Sequence, residues 1–219
     1  MTASQLVAPH EDFPYASDVN VPQPQSARAG ATESPRVRAA LERFDAENAQ
    51  DPRGVELPYA HRLSTWVERL APDAPEELRL AARAQHICRW VIPRDSYPPG
   101  RIGYLKWRED LKQFHARKAG EILREVGYED AIISRVQDLI RKRNFPRNAD
   151  GRVLEDALCL VFLETQFAET TAKTGDEKMM GILQKTWRKM TPQAQQIALT
   201  IPMSTECRAL VEKALQPPP

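Results

Sequence analysis

The chain has almost no excess charge of either sign: 31 basic side chains face 30 acidic ones. That balance excludes the broad electrostatic footprint of a dedicated nucleic-acid binder, while leaving room for a local basic pocket. Cysteine is scarce. Cys88, Cys159 and Cys207 are odd in number, far apart and without CxxC spacing, so no disulfide framework is expected and a reducing compartment fits better. Long apolar runs are missing as well. The richest, ALCLVFLETQF, is far shorter than the roughly 18 residues that cross a bilayer, and reads as a buried helix. The opening MTASQLVAPHEDFPYASD has neither the basic start nor the apolar centre of a signal peptide, and its acidic residues argue against a mitochondrial presequence. A cytoplasmic protein without membrane contact is the expectation. Strand-like alternation of useful length is absent too, so the fold class is all-α.

Residues 1–34 are rich in Pro, Ser, Ala and Gln without apolar periodicity, and are expected to form a disordered tail. Residues 35–215 then form one compact helical bundle. Ser34-Pro35 is a capping residue followed by proline at the first helical position. A second helix is expected from about Pro58 to Leu70. PDAPEELRLAARAQHICRW follows as a third, with Asp73 as its cap and two early glutamates suited to the helix dipole. A long amphipathic helix runs from Tyr104 to Val126 and stops at Gly127. DAIISRVQDLIRKR is next. VLEDALCLVFLETQF has apolar residues on every face and belongs at the centre of the core. EKMMGILQKTWRKM and TPQAQQIALTI complete the chain.

Three histidines lie in this helical part. His86 shares a stripe with Leu78 and Ala82 and is expected to point inward; His115 sits on a largely apolar stripe with Leu111, Ala119 and Ile122. Asp156, near the start of the most apolar helix, is costly to bury unless paired or bound to a metal. The plainer account makes both histidines hydrogen-bonded core residues and pairs Asp156 with an arginine.

The stretch QHICRWVIPRDSYPPGRIGYLKWR joins the two inward histidines. Arg89, Arg94, Arg101 and Arg108 alternate there with aromatics. Arginine meets phosphate through a planar fork of donors, and Tyr104 or a tryptophan can stack on a base or cover a guanidinium. Three prolines stiffen the loop. Folded over His86 and His115, it makes a cationic, aromatic-walled cleft for a phosphorylated small molecule or nucleotide, with Lys106 or Lys142 as further phosphate contacts. Alternatively, Trp90 and Trp107 pack in the core and the arginines pair with Asp95, Glu109 or Asp110.

AARAQHICRW, PRDSYPPGRIGYLKWR, FHARKAGEIL and VLEDALCLVFLE, in that order, resemble the family catalogued as domain of unknown function 4202, from about residue 38 to 190. No HIGH- or KMSKS-type signature accompanies them. More distantly, the series of histidine-bearing helices is similar to HD-type phosphohydrolases. That likeness implies an HD-like core and a divalent metal ion held by His61, His86, His115 and Asp156, with the last three as catalytic residues. Aligning on Arg62 would put Tyr59 in the place of His61. Ile87 stands where the pattern has the aspartate of its His-Asp pair, and isoleucine offers a metal nothing. Three functions follow: metal-assisted hydrolysis of a phosphate ester, a non-catalytic module binding a nucleotide or RNA, or metal-free acid–base chemistry by a histidine.

Overall fold

A computed structural model describes residues 34–216. The expected tail over residues 1–34 therefore lies, apart from Ser34, outside the described residues. Ser34 caps the first helix as expected: its Oγ accepts from the Val37 N–H (3.2 Å), and α1 runs Pro35–Asn48. Nine further α-helices follow among the described residues. They are α2 Glu56–Leu70, α3 Glu76–Ala84, α4 Gly100–Glu125, α5 Asp130–Ile140, α6 Ala149–Thr165, α7 Phe167–Thr174, α8 Asp176–Lys189, α9 Pro192–Thr200 and α10 Thr205–Leu215. The described residues hold no strand, and the all-α class stands.

In α6 every residue over 154–163 is buried, so no face of it meets water. This helix is the axis about which α2, α3, α5, α7, α8 and α9 pack. The main core runs without interruption from Ala40 on α1 to Ala214 on α10. Each large aliphatic side chain taken out of water there contributes about 1.5–3 kcal/mol before chain entropy is set against it.

Several boundaries differ from those expected. The third helix ends at Ala84, two residues before His86. Beyond it, the Ile87 N–H bonds back to Ala84 O and the Arg89 N–H to His86 O, while Cys88 takes a left-handed conformation at φ 52°. The Asn48 side chain holds that turn by accepting from the Cys88 N–H (3.1 Å). Asp73 does not cap α3; Pro75 precedes it, with no side-chain cap bond, and Glu76 and Glu77 lie in its first turn. The long helix α4 begins at Gly100 rather than Tyr104, and Gly127, at φ 88°, follows its end as expected. The alternation of polar and small residues hid α7. The capping Ser204, which accepts from the Cys207 N–H, marks an α10 that the sequence reading passed over.

The Pro-rich loop lies along the start of α4 and is fastened to it. Trp107 Nε1–H donates to Ile92 O (2.9 Å) and the Tyr97 hydroxyl to Asp110 Oδ2 (2.8 Å). Ile92 and Tyr97 pack on a second small core of Tyr104, Trp107 and Leu111. Gly103 makes this close approach possible, since a Cβ there would sit 2.0 Å from Pro98 O and 2.9 Å from its carbonyl carbon. Both atoms are backbone and cannot swing aside. Gly103→Ala is expected to lift the loop from α4 at a cost of about 2 kcal/mol. Amide NMR shifts confined to residues 92–104, with a lowered unfolding midpoint, would record it; an unperturbed spectrum would contradict this packing.

Candidate functional site

Three elements meet around the turn that follows α3. From α4, the stripe Tyr104, Trp107, Leu111, His115, Ala119 is buried along its length. From α2, Glu56, Tyr59, Ala60 and Leu63 are buried along one stripe, and Tyr59 of that stripe meets the turn. The turn itself contributes His86 and Arg89. The Tyr59 ring stacks on His86 with centroids 4.6 Å apart and planes 10° from parallel. His86 lies 5.9 Å from His115, which meets Phe114 edge-on. Both histidines are buried, so the inward orientation expected for them is what the structure shows.

Ile87, whose side chain is fully buried in the main core, still shapes the site through its backbone. His115 Nδ1 lies 2.7 Å from Ile87 O. A carbonyl oxygen only accepts, so Nδ1 carries the proton of that bond and Nε2 is the basic atom of the neutral ring. One hydrogen bond therefore sets both the tautomer and the ring orientation.

Two of the expected arginines lie over aromatic rings of α4. Arg89 lies over the Trp107 ring (4.9 Å to the centroid) and Arg108 over Tyr104 (5.6 Å). Each guanidinium is thus positioned by an aromatic face, the arrangement that keeps a fork of donors oriented. Glu56, which the sequence reading did not single out, lies in the field of Arg89. Burial pushes its carboxyl up to about 8, against the opposing pull of Arg89. A glutamate at a helix start reads from sequence as a dipole partner; only its place on the inward stripe with Tyr59 marks it as part of a site.

Beside the turn, Cys88 Sγ approaches Glu47 Oε2 (3.6 Å), and Glu47 Oε1 accepts from Lys118 Nζ (2.8 Å). Burial and the Glu47 carboxylate raise the Cys88 thiol to about 12, so it stays protonated and is no nucleophile near neutrality.

The other sequence candidates are dispersed. His61 is exposed on α2, with Nε2 3.0 Å from Asp45 Oδ2; Arg83 also donates twice to that carboxylate (3.0 and 2.8 Å). Tyr59, two residues earlier, occupies the place beside His86. Asp156 accepts from the backbone N–H (2.9 Å) and the hydroxyl (2.5 Å) of Thr191, anchoring the start of α9. Burial raises its carboxyl in spite of those two bonds. Lys142 donates to the buried Glu155 (2.9 Å), as Lys189 does from the other side (3.0 Å). Arg94 donates to the carbonyls of Tyr97 and Pro98 (both 3.1 Å) and so holds its own loop, while Arg101 is exposed at the start of α4.

His61, His86, His115 and Asp156 therefore do not form one ligand set. Among the described residues no group of three or more His, Cys, Asp or Glu side chains is arranged to hold a metal ion. His61 meets Asp45 and Asp156 meets Thr191, so the four residues that the HD-type likeness implies are not brought together as one set.

The structure is an all-α protein with a buried histidine pair where α2, α4 and the turn after α3 meet. The chain belongs to the family described as Domain of unknown function (DUF4202), whose model matches residues 38–211. That match reaches into α10, beyond the region over which the resemblance is legible by eye. No curated protein and no solved structure matches the chain. No helix among the described residues is long and apolar enough to cross a membrane.

Proposed function

We propose that the protein binds a phosphorylated small molecule or nucleotide at the junction of His86 and His115, with Arg89 and Arg108 meeting the phosphate. The observation that carries this reading is the pairing of each arginine with an aromatic ring, Trp107 and Tyr104, on the stripe that leads to His115. A guanidinium held flat on a ring keeps its donors aimed, and the same rings offer a face to a base. Binding needs no metal in this reading. The cytoplasm suits it, since all three cysteines are free and buried thiols.

Calorimetric titration of the full chain with AMP, ADP, inorganic phosphate and short RNA fragments tests it. A nucleotide is expected to bind in the presence of a chelator. Arg89→Ala and Arg108→Ala are each expected to weaken it about tenfold or more, and Arg101→Ala to leave it unchanged. Equal affinity in all three variants would overturn the site. RNA binding far tighter than any mononucleotide would instead favour a module that reads RNA.

A second reading, hydrolysis of the bound phosphate ester, draws on the His115 tautomer, whose basic Nε2 is the atom that such chemistry needs. As water oxygen bonds to phosphorus and the ester P–O bond breaks, Nε2 of His115 takes the water proton, and the imidazolium then returns it to the departing alkoxide, which leaves as the alcohol. Release of inorganic phosphate that survives chelation and disappears in His115→Gln is the expected sign; stoichiometric binding without release leaves the binding module alone.

A further inference from the structure

Glu56 is a buried acid without an evident structural task. It is only 4% exposed, as the first residue of α2. Capping that helix falls to Asp51, which accepts from the N–H groups of Arg53, Val55 and Glu56 at 3.0, 2.8 and 3.1 Å. The Glu56 side chain makes no contribution there, and its buried Oε2 has no hydrogen-bond partner among the described residues. Leaving such an oxygen unsatisfied is costly, and a leucine at the same position would avoid that cost. The charged and titratable groups facing it are Arg89 and Cys88 from the turn after α3, and Asp51 and Arg53 from the loop before α2. Three residues on, Tyr59 stacks on His86.

We infer that Glu56 is a ligand-contacting residue of this site, its carboxyl group donating a hydrogen bond to an oxygen of the phosphoryl group that Arg89 holds. The inference rests on the anion-binding reading given above. Burial keeps the Glu56 proton in place up to about pH 8, so near neutrality the group is a donor rather than a negative charge. An uncharged acid beside an arginine donates to a dianionic oxygen, which an ionised carboxylate in the same place would repel. Above pH 8 the same carboxyl becomes a carboxylate and repels the ligand. The site thus selects anions that present an unprotonated oxygen, and releases them as Glu56 ionises.

Titration of the full chain with inorganic sulfate, whose charge is constant over pH 6–9, and with inorganic phosphate tests this. Wild-type affinity for sulfate is expected to fall about tenfold or more between pH 7 and 9, one lost charge-assisted hydrogen bond. Glu56→Gln keeps an uncharged donor, and should bind within about threefold of wild type at pH 7 while losing most of the fall. Glu56→Leu has no donor, and should bind about tenfold more weakly at pH 7 with a flat profile. Neither variant adds a buried charge, and thermal unfolding of each verifies its fold. If Glu56→Leu binds sulfate as wild type does, Glu56 does not touch the ligand and the inference alone is overturned. If wild type binds neither anion at any pH, the anion-binding reading falls and takes the inference with it.

Discussion

Glu56→Gln is expected to stabilise the folded protein by several kcal/mol at pH 8 and above, and to remove a loss of stability that the wild type suffers between about pH 5 and 8. Unfolded, the carboxyl titrates near its ordinary 4.5; folded, burial holds its proton to about 8. Between those values the folded state carries a proton that the unfolded state has released. Unfolding free energy therefore decreases as pH rises through the window, and the whole penalty is present above it. Its ceiling is about 5 kcal/mol, and local relaxation around the ionised group brings the observed value below that. Glutamine is neutral in both states, so its variant has no such slope. Urea unfolding at several pH values measures the difference. Parallel curves for the two proteins would mean that Glu56 is already ionised in the fold.

Asp156→Ala is expected to cost about 3 kcal/mol, from the loss of two charge-assisted bonds at one buried point. Without the carboxylate, the N–H and hydroxyl of Thr191 have no acceptor, and Thr191 Oγ1 is no longer oriented to receive the Ala194 N–H (3.3 Å). The first turn of α9 is thus released from α6. Hydrogen exchange should quicken most across α9, ahead of α1 to α5. Asp156→Asn retains one acceptor and should recover roughly half of the loss. A ligand role for Asp156 would give the opposite pattern, with anion binding abolished and stability retained. The distance between these outcomes separates a structural carboxylate from a functional one.

The helices themselves were largely legible because their signals are local. Ser34-Pro35, Gly127 and the all-apolar 154–163 stretch act within a turn or two of chain, and each does in the structure what its chemistry implies. The failures fall where a distant group decides. Nothing near His86 announces that α3 ends at Ala84, because the turn is held by Asn48 from α1 and by His115 from α4. Arg94 and Arg89 look alike in sequence; one holds its own loop's carbonyls and the other lies over Trp107.

What the sequence determined by itself was the all-α class, the inward direction of His86 and His115, and the absence of a side-chain ligand at Ile87, since periodicity and side-chain chemistry belong to a residue and its near neighbours. Which of these residues share a site was decided only by tertiary structure. Helical spacing places a side chain on a face, but not opposite a partner from another helix. His61 fits the expected order and lies outside, bound to Asp45. Asp156 fits it too and is taken by Thr191. Tyr59 reaches His86 because α2 buries the stripe that carries it.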